Sequence, residues 1–136
     1  MLIRLQSVFD DTVAARPDVV RYQKSYFEKH SDAVTLCHPQ CGHVYALGTK
    51  GEVGHIHPGD GSMHMIMSPS DTVTAIERGW GELHSLAGRL DLPITYMFVY
   101  APRDETELQA VEQLLDAAVA HMSERRRSEG AAVASG

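Results

Sequence analysis

The stretch from Glu52 to His64, EVGHIHPGDGSMH, constrains the fold of this chain more than any other. It alternates, turns and alternates again: a run ending at His57, then Pro58-Gly59-Asp60-Gly61, then a run beginning at Ser62. That order of residues predicts a β-hairpin. Side chains two apart on a strand share a face, so His55 and His57 point the same way, together with Val53. A simple pairing register brings His64 to the same face with Ile66 beside it, while Met63, Met65 and Met67 take the other.

The flanking sequence predicts what this hairpin is built into. Residues 1–16 carry Leu2, Leu5, Phe9 and Val13 at helical spacing, and Pro17 stops the helix. Residues 18–30 fit a strand or a pocket lining, with Tyr22, Tyr26 and Phe27 as its aromatic side chains. AVTLC, 33–37, reads as a strand and HVYALG, 43–48, as its partner. Ser68-Pro69-Ser70-Asp71 is a helix start, and Val73, Ile76 and Trp80 form the expected apolar stripe of that helix. Residues 82–92 read as a loop that carries His84. ITYMFVY, 94–100, reads as a buried strand. Asp104 with Glu107 three residues later opens a last helix that buries Leu108, Val111, Leu115, Ala118 and Met122. The expected fold is therefore α+β: an N-terminal helix, an antiparallel sheet of about four to five strands, and two further helices packed on one face. One domain is expected over residues 1–122, with a disordered tail over 123–136. The uncovered sheet face suits a ligand or a second copy of the chain as a homodimer.

Charge and composition remove whole classes of function. A net charge of -6 with neutral histidines argues against binding a nucleic-acid backbone, which needs a basic surface. No run approaches the roughly 18 apolar residues of a membrane span. The opening MLIRLQSVFDD turns acidic too early for a secretory signal, so a cytoplasmic location is expected.

Eight histidines in 136 residues set the candidate chemistry. His55, His57 and His64 on the hairpin, with His84 from the later loop, are candidate general acids and bases. Asp60 or Glu82 would orient an imidazole, and Ser62 would donate a hydrogen bond. The same three hairpin histidines would serve a divalent transition metal, with Glu52 or Asp60 completing the set, although no cofactor is required by the pattern. The remaining reading is a polar sheet face without a site. Ser62, Tyr26, Trp80 and Arg103 are candidate substrate contacts, with Arg103 otherwise in an ion pair with Asp104 or Glu107. The cluster Cys37-His38-Pro39-Gln40-Cys41-Gly42-His43 has the spacing C-x3-C, which is neither a zinc knuckle nor a haem-attachment motif. It reads as a turn with one buried thiol, and a metal site is the minority reading. The three methionines on the hairpin's second strand are apolar surface for a core or a lipophilic pocket.

Three strings together resemble a known family: EVGHIHPGDGSMH, then GWGELHSLAG, then YAPRDETEL. They are similar to those of small bacterial and fungal luciferase-domain proteins, over about Glu52 to Met122. The resemblance implies a compact α+β domain. It supports His55, His57, His64 and His84 as the recurrent polar group, with Asp60, Ser62, Trp80 and Glu82 near them. It implies no light emission and does not say whether a metal is bound. The sequence thus points first to an enzyme of specialised metabolism that performs acid–base chemistry, such as isomerisation, cyclisation or hydrolysis, on an apolar small molecule. A non-catalytic ligand- or protein-binding domain and a metal-dependent oxygenase or metal-binding protein are the alternatives.

Overall fold

A computed structural model of the chain describes residues 1–29, 31–42, 48–90 and 92–124. The elements run α1 (Leu2–Ala15), β1 (Val20–Lys24), β2 (Asp32–Leu36), a 3-10 turn (Pro39–Cys41), β3 (Glu52–Ile56), β4 (Met63–Ile66), α2 (Pro69–Glu77), β5 (Gly81–Leu83), β6 (Tyr96–Val99) and α3 (Glu105–Met122). The strands form one antiparallel sheet of six, in the order β1-β2-β3-β4-β6-β5. The fold is α+β, as the sequence predicts, with one strand more than the upper expectation.

The extra strand is β5. Its three residues are too short to show a period, and the sequence reads them as the start of a loop. Gly81 is what lets β5 close against β6: a Cβ there would lie 2.4 Å from the Phe98 carbonyl oxygen. The strand expected at 43–48 as the partner of β2 rests on residues 43–47, which are not among the described ones. β2 pairs with β1 on one side and β3 on the other. Residues 43–47 themselves, His43 included, lie outside the described residues, as do 125–136 of the expected tail.

Alternation along the strands divides the sheet into two unlike faces. Met63 and Met65 on β4 stand level with Val99 and Met97 on β6, and Gly54 and Ile56 on β3 continue the row. Ile56, Met63, Met65, Met97 and Val99 join Leu5 and Phe9 of α1 and Leu108, Val111, Leu115, Ala118 and Met122 of α3 in the buried core. The helix α3 buries every residue expected of it. The helix α2 does not. It buries Thr72 and Ala75, while Val73 and Ile76 are exposed and Trp80 lies beyond its end. In α1, Leu5, Phe9 and Thr12 are buried and Leu2 is largely exposed. No helix among the described residues is long and apolar enough to cross a membrane.

The α3 start is capped twice. The Glu107 N–H donates to Asp104 Oδ1 at 2.9 Å, and the Glu107 carboxylate accepts from the Arg103 backbone N–H at 2.7 Å and its guanidinium at 2.6 Å. The Arg103 side chain, and then its backbone N–H, hold the Glu107 carboxyl down to about 2. A carboxyl depressed in the folded chain stabilises it above the ordinary carboxylate range, and the contribution is lost as pH falls toward 2. In a carbon-detected NMR titration, Glu107 should titrate near that lower limit. In Arg103→Ala its midpoint should return most of the way to the ordinary value; an unchanged midpoint would show that the cap, not the arginine, sets it.

Candidate functional site

The second face of the sheet carries the histidines. His55 on β3 stands opposite His64 on β4, and His64 stands opposite Phe98 on β6. The turn after β3 folds back through the His57 N–H to Ser62 carbonyl bond, 2.8 Å, and Gly61 with φ +80° closes it. His57 is thereby set two residues beyond His55 on the same side. The ring centroids of His55, His57 and His64 lie 4.5–5.2 Å apart.

Glu52 reaches this face through an irregularity. Val34 pairs with Gly54 but Thr35 pairs with Glu52, so two residues of β3 oppose one of β2. Such a bulge re-aims a side chain. Without it, residues 52 and 55 would point to opposite faces. With it, Glu52 Oε2 lies 2.7 Å from His55 Nδ1.

The other oxygen of Glu52 ties down a loop. Its Oε1 accepts from Ser25 Oγ at 2.6 Å and from the Tyr26 backbone N–H at 2.7 Å. The Phe27 ring packs edge-on against Tyr96, with centroids 5.0 Å apart. These anchors hold residues 25–29 over the histidine face and deliver Glu28, the residue that sequence reasoning missed. Glu28 Oε2 is bonded to His55 Nε2 and lies 2.8 Å from His57 Nε2. One ligand atom from each of Glu28, His55, His57 and His64 lies within 4.8 Å of every other. A seven-residue connection between two strands, with an acid set among aromatics, is the only sequence signal that pointed there.

Each imidazole is held from behind at Nδ1. His55 Nδ1 meets Glu52. His57 Nδ1 meets Ser62 Oγ at 2.8 Å, and Ser62 donates to Asp60 Oδ1 at 2.6 Å. His64 Nδ1 meets the Tyr96 hydroxyl at 3.0 Å. Asp60 therefore reaches an imidazole only through Ser62. The Nε2 atoms of His55 and His57 both face Glu28 Oε2, the second at 2.8 Å without the alignment of a hydrogen bond.

The environment separates the protonation states. Burial, followed by repulsion from His55 and His57, pulls His64 down to about 4, so this imidazole is neutral at pH 7. Burial also disfavours a charged His55, but the hydrogen bond and charge of Glu52, with those of Glu28, outweigh it and raise the group. Glu28 is lowered: burial pushes its carboxyl up, and the charge and hydrogen bond of His55 more than reverse this. The centre opens to solvent at Glu28 and His57, whose side chains are 32% and 22% exposed, while His55 is fully enclosed. Half-buried Phe98 stands beside the mouth, 6.2 Å from the His57 ring.

The other predicted site residues divide. His84 is half-buried with its ring 5.1 Å from that of His64, and its Nδ1 accepts from the Leu86 N–H at 3.0 Å. It flanks the converging groups without joining them. Tyr26 contributes its backbone N–H, and its ring is exposed against Phe27. Glu82 pairs with Phe98 and is exposed, two strands from His64 and so roughly 10 Å away. Trp80 and Arg103 line a cleft with Ala110, Val111 and Leu114 on the helix side, away from the histidines. Arg103 is occupied by Glu107. Cys37 and Cys41 are free, with the Cys37 thiol near the Pro17 carbonyl oxygen at 3.6 Å and Cys41 exposed.

Residues 50–118, half of the chain, match the model of the luciferase domain. The chain belongs to the luciferase-domain family. It is 31% identical to proteins named Luciferase from Armillaria gallica and Armillaria mellea over 122 residues, covering 81% of this chain and 46% of each relative. It is 29% identical to the Luciferase of Neonothopanus nambi over 131 residues, covering 88% of this chain and 49% of that protein. The chain thus spans about half the length of the curated relatives it matches. No solved structure matches it. The stretch matched by the luciferase-domain model contains the three histidines of the cluster and the flanking His84, with Glu52, Asp60 and Ser62, whereas Glu28 precedes it.

Proposed function

We propose that this luciferase domain is a catalytic domain that moves protons on an apolar small molecule at the centre formed by Glu28, His55, His57 and His64. The observation that carries this is the convergence of three imidazoles and one carboxylate beside a solvent-facing mouth. Acid–base catalysis needs groups within hydrogen-bond reach of the reacting atom and held in one tautomer. His57 meets both demands, because Ser62 and Asp60 fix its Nδ1 and its Nε2 faces the centre. The apolar character of the substrate is inferred from Phe98 beside His57 and from the Tyr26–Phe27 pair on the covering loop. Isomerisation, cyclisation and hydrolysis are the reaction classes such a centre serves. The shared name of the fungal relatives supports an enzyme and leaves the reaction of this chain to be measured.

The test is a conversion screen. Apolar ketones, enols and esters, aromatic and aliphatic, are incubated with the full chain and products are read by mass spectrometry. At least one class should be converted, and His57→Ala should lower kcat about 100-fold or more, as for loss of a general acid or base. Compounds that shift the NMR signals of His57 and Phe98 yet are recovered unchanged would make this a binding domain and overturn the proposal.

A further inference from the structure

We propose that Glu28, His55, His57 and His64 form a binding site for a single divalent first-row transition-metal ion. This rests on the reading of the cluster as the reaction centre and names what occupies its common point.

Three observations converge. The first is distance. Four nitrogen and oxygen ligands around such an ion at about 2.0–2.2 Å stand roughly 3.4 Å apart. The four side chains already hold their atoms within 4.8 Å of one another, so rotation of flexible side chains, Glu28 above all, is enough to close the set. The second is the outer shell. Imidazoles that ligate metals give their remaining nitrogen to a carboxylate, a backbone carbonyl or another fixed group. Here this holds three times over, through Glu52, through Ser62 backed by Asp60, and through Tyr96. A proton-transfer site needs one oriented imidazole; three oriented toward one point is the pattern of a ligand set. The third is the His57 Nε2 atom, buried and 2.8 Å from Glu28 Oε2 without the alignment of a hydrogen bond, so that an imidazole and a carboxylate already face one point.

The donor set selects the ion. Three imidazoles and one carboxylate suit zinc, iron, cobalt, nickel or manganese. Calcium and magnesium take oxygen ligands, and copper(I) takes sulfur. Neither cysteine is close enough to enter the group. A cation held here would supply Lewis acidity and an acidified water beside these residues.

The experiment uses the full chain without a histidine tag, stripped by chelator and dialysed. Cobalt(II) is titrated in while its visible absorption is followed, and zinc is measured by elemental analysis after reloading. The wild type should bind one equivalent and develop the intense bands of a low-coordinate cobalt site. Glu28→Gln and His57→Ala should each weaken cobalt binding at least about 100-fold, and Ser62→Ala, which touches no ion, about 10- to 100-fold. Glu28 sits on a loop, so its variant tests the site without disturbing the sheet, and circular dichroism checks both folds. Failure of the wild type to bind cobalt or zinc stoichiometrically overturns the assignment, as does wild-type affinity in folded Glu28→Gln and His57→Ala. Conversion of a screened compound by the stripped, cobalt-refractory chain would leave the catalytic reading standing without the cation. Stoichiometric cobalt binding with no conversion would do the reverse.

Discussion

Replacing Glu52 by alanine is expected to lower the unfolding free energy by about 3–5 kcal/mol, the range for removing one partner of a buried charge pair. Glu52 is 2% exposed and its carboxylate satisfies three groups at once. Alanine leaves the Ser25 hydroxyl and the Tyr26 N–H without their acceptor and strips His55 of one of its two carboxylates. The damage should be local as well as global. Residues 25–29 lose their anchor on β3, so hydrogen exchange at the Tyr26 amide should become fast relative to the core of the sheet. Glu52→Gln separates the two roles, since an amide still accepts from Ser25 and Tyr26 but presents an N–H₂ group that conflicts with a donor at His55 Nδ1. It should fall between wild type and alanine. Urea denaturation measures all three chains; a loss below about 1 kcal/mol in Glu52→Ala, the level of an ordinary hydrogen bond, would contradict this account.

The second large effect is expected at a residue with no side chain. A Cβ on Gly54 would lie 2.8 Å from the His64 carbonyl oxygen and 3.2 Å from Met65 Cγ. The first is backbone and cannot rotate away, so Gly54→Ala must push β3 from β4. Overpacking of this kind costs about 1–3 kcal/mol. The neighbouring pair is His55 and His64, so the same displacement opens the centre. Contacts between the two imidazoles in NMR spectra should weaken, and cobalt affinity should fall although no proposed ligand has been removed. Wild-type stability together with wild-type His55–His64 contacts would show that the strands absorb the methyl group elsewhere.

The sequence was most legible where a local rule sufficed. Strand alternation and a Pro-Gly-Asp-Gly turn predicted the hairpin, and the observed pairing of His55 with His64 is the simple register. Asp104 and Glu107 announced the start of α3, and helical spacing gave its buried face. What failed depended on distant partners. Glu28 acquires its place from the path of a loop, which leaves no period in the sequence. The bulge that turns Glu52 toward His55 is a mismatch of count between two strands and belongs to neither alone. In α2, Val73 and Ile76 are apolar at helical spacing, yet the helix presents the smaller Thr72 and Ala75 to the core. Trp80 was assigned to that helix by spacing, but the chain turns through Gly79 at φ +77° and carries the indole to the opposite side from the histidines.

The hairpin and the covering loop contribute to the centre on different terms. Three of the four converging groups lie within ten consecutive residues, from His55 to His64, and strand pairing alone aligns them. The fourth is held by side chains on an excursion between two other strands. In folding, the short-range pairing can therefore form before the loop is seated, since contacts close in sequence close sooner. In divergence, the same division lets the covering segment change its length, its acid or its aromatic residues while the imidazole trio stays in place. Variation among luciferase domains in what they accept is then expected to concentrate between β1 and β2, in the part of the chain that precedes the stretch by which the family is recognised.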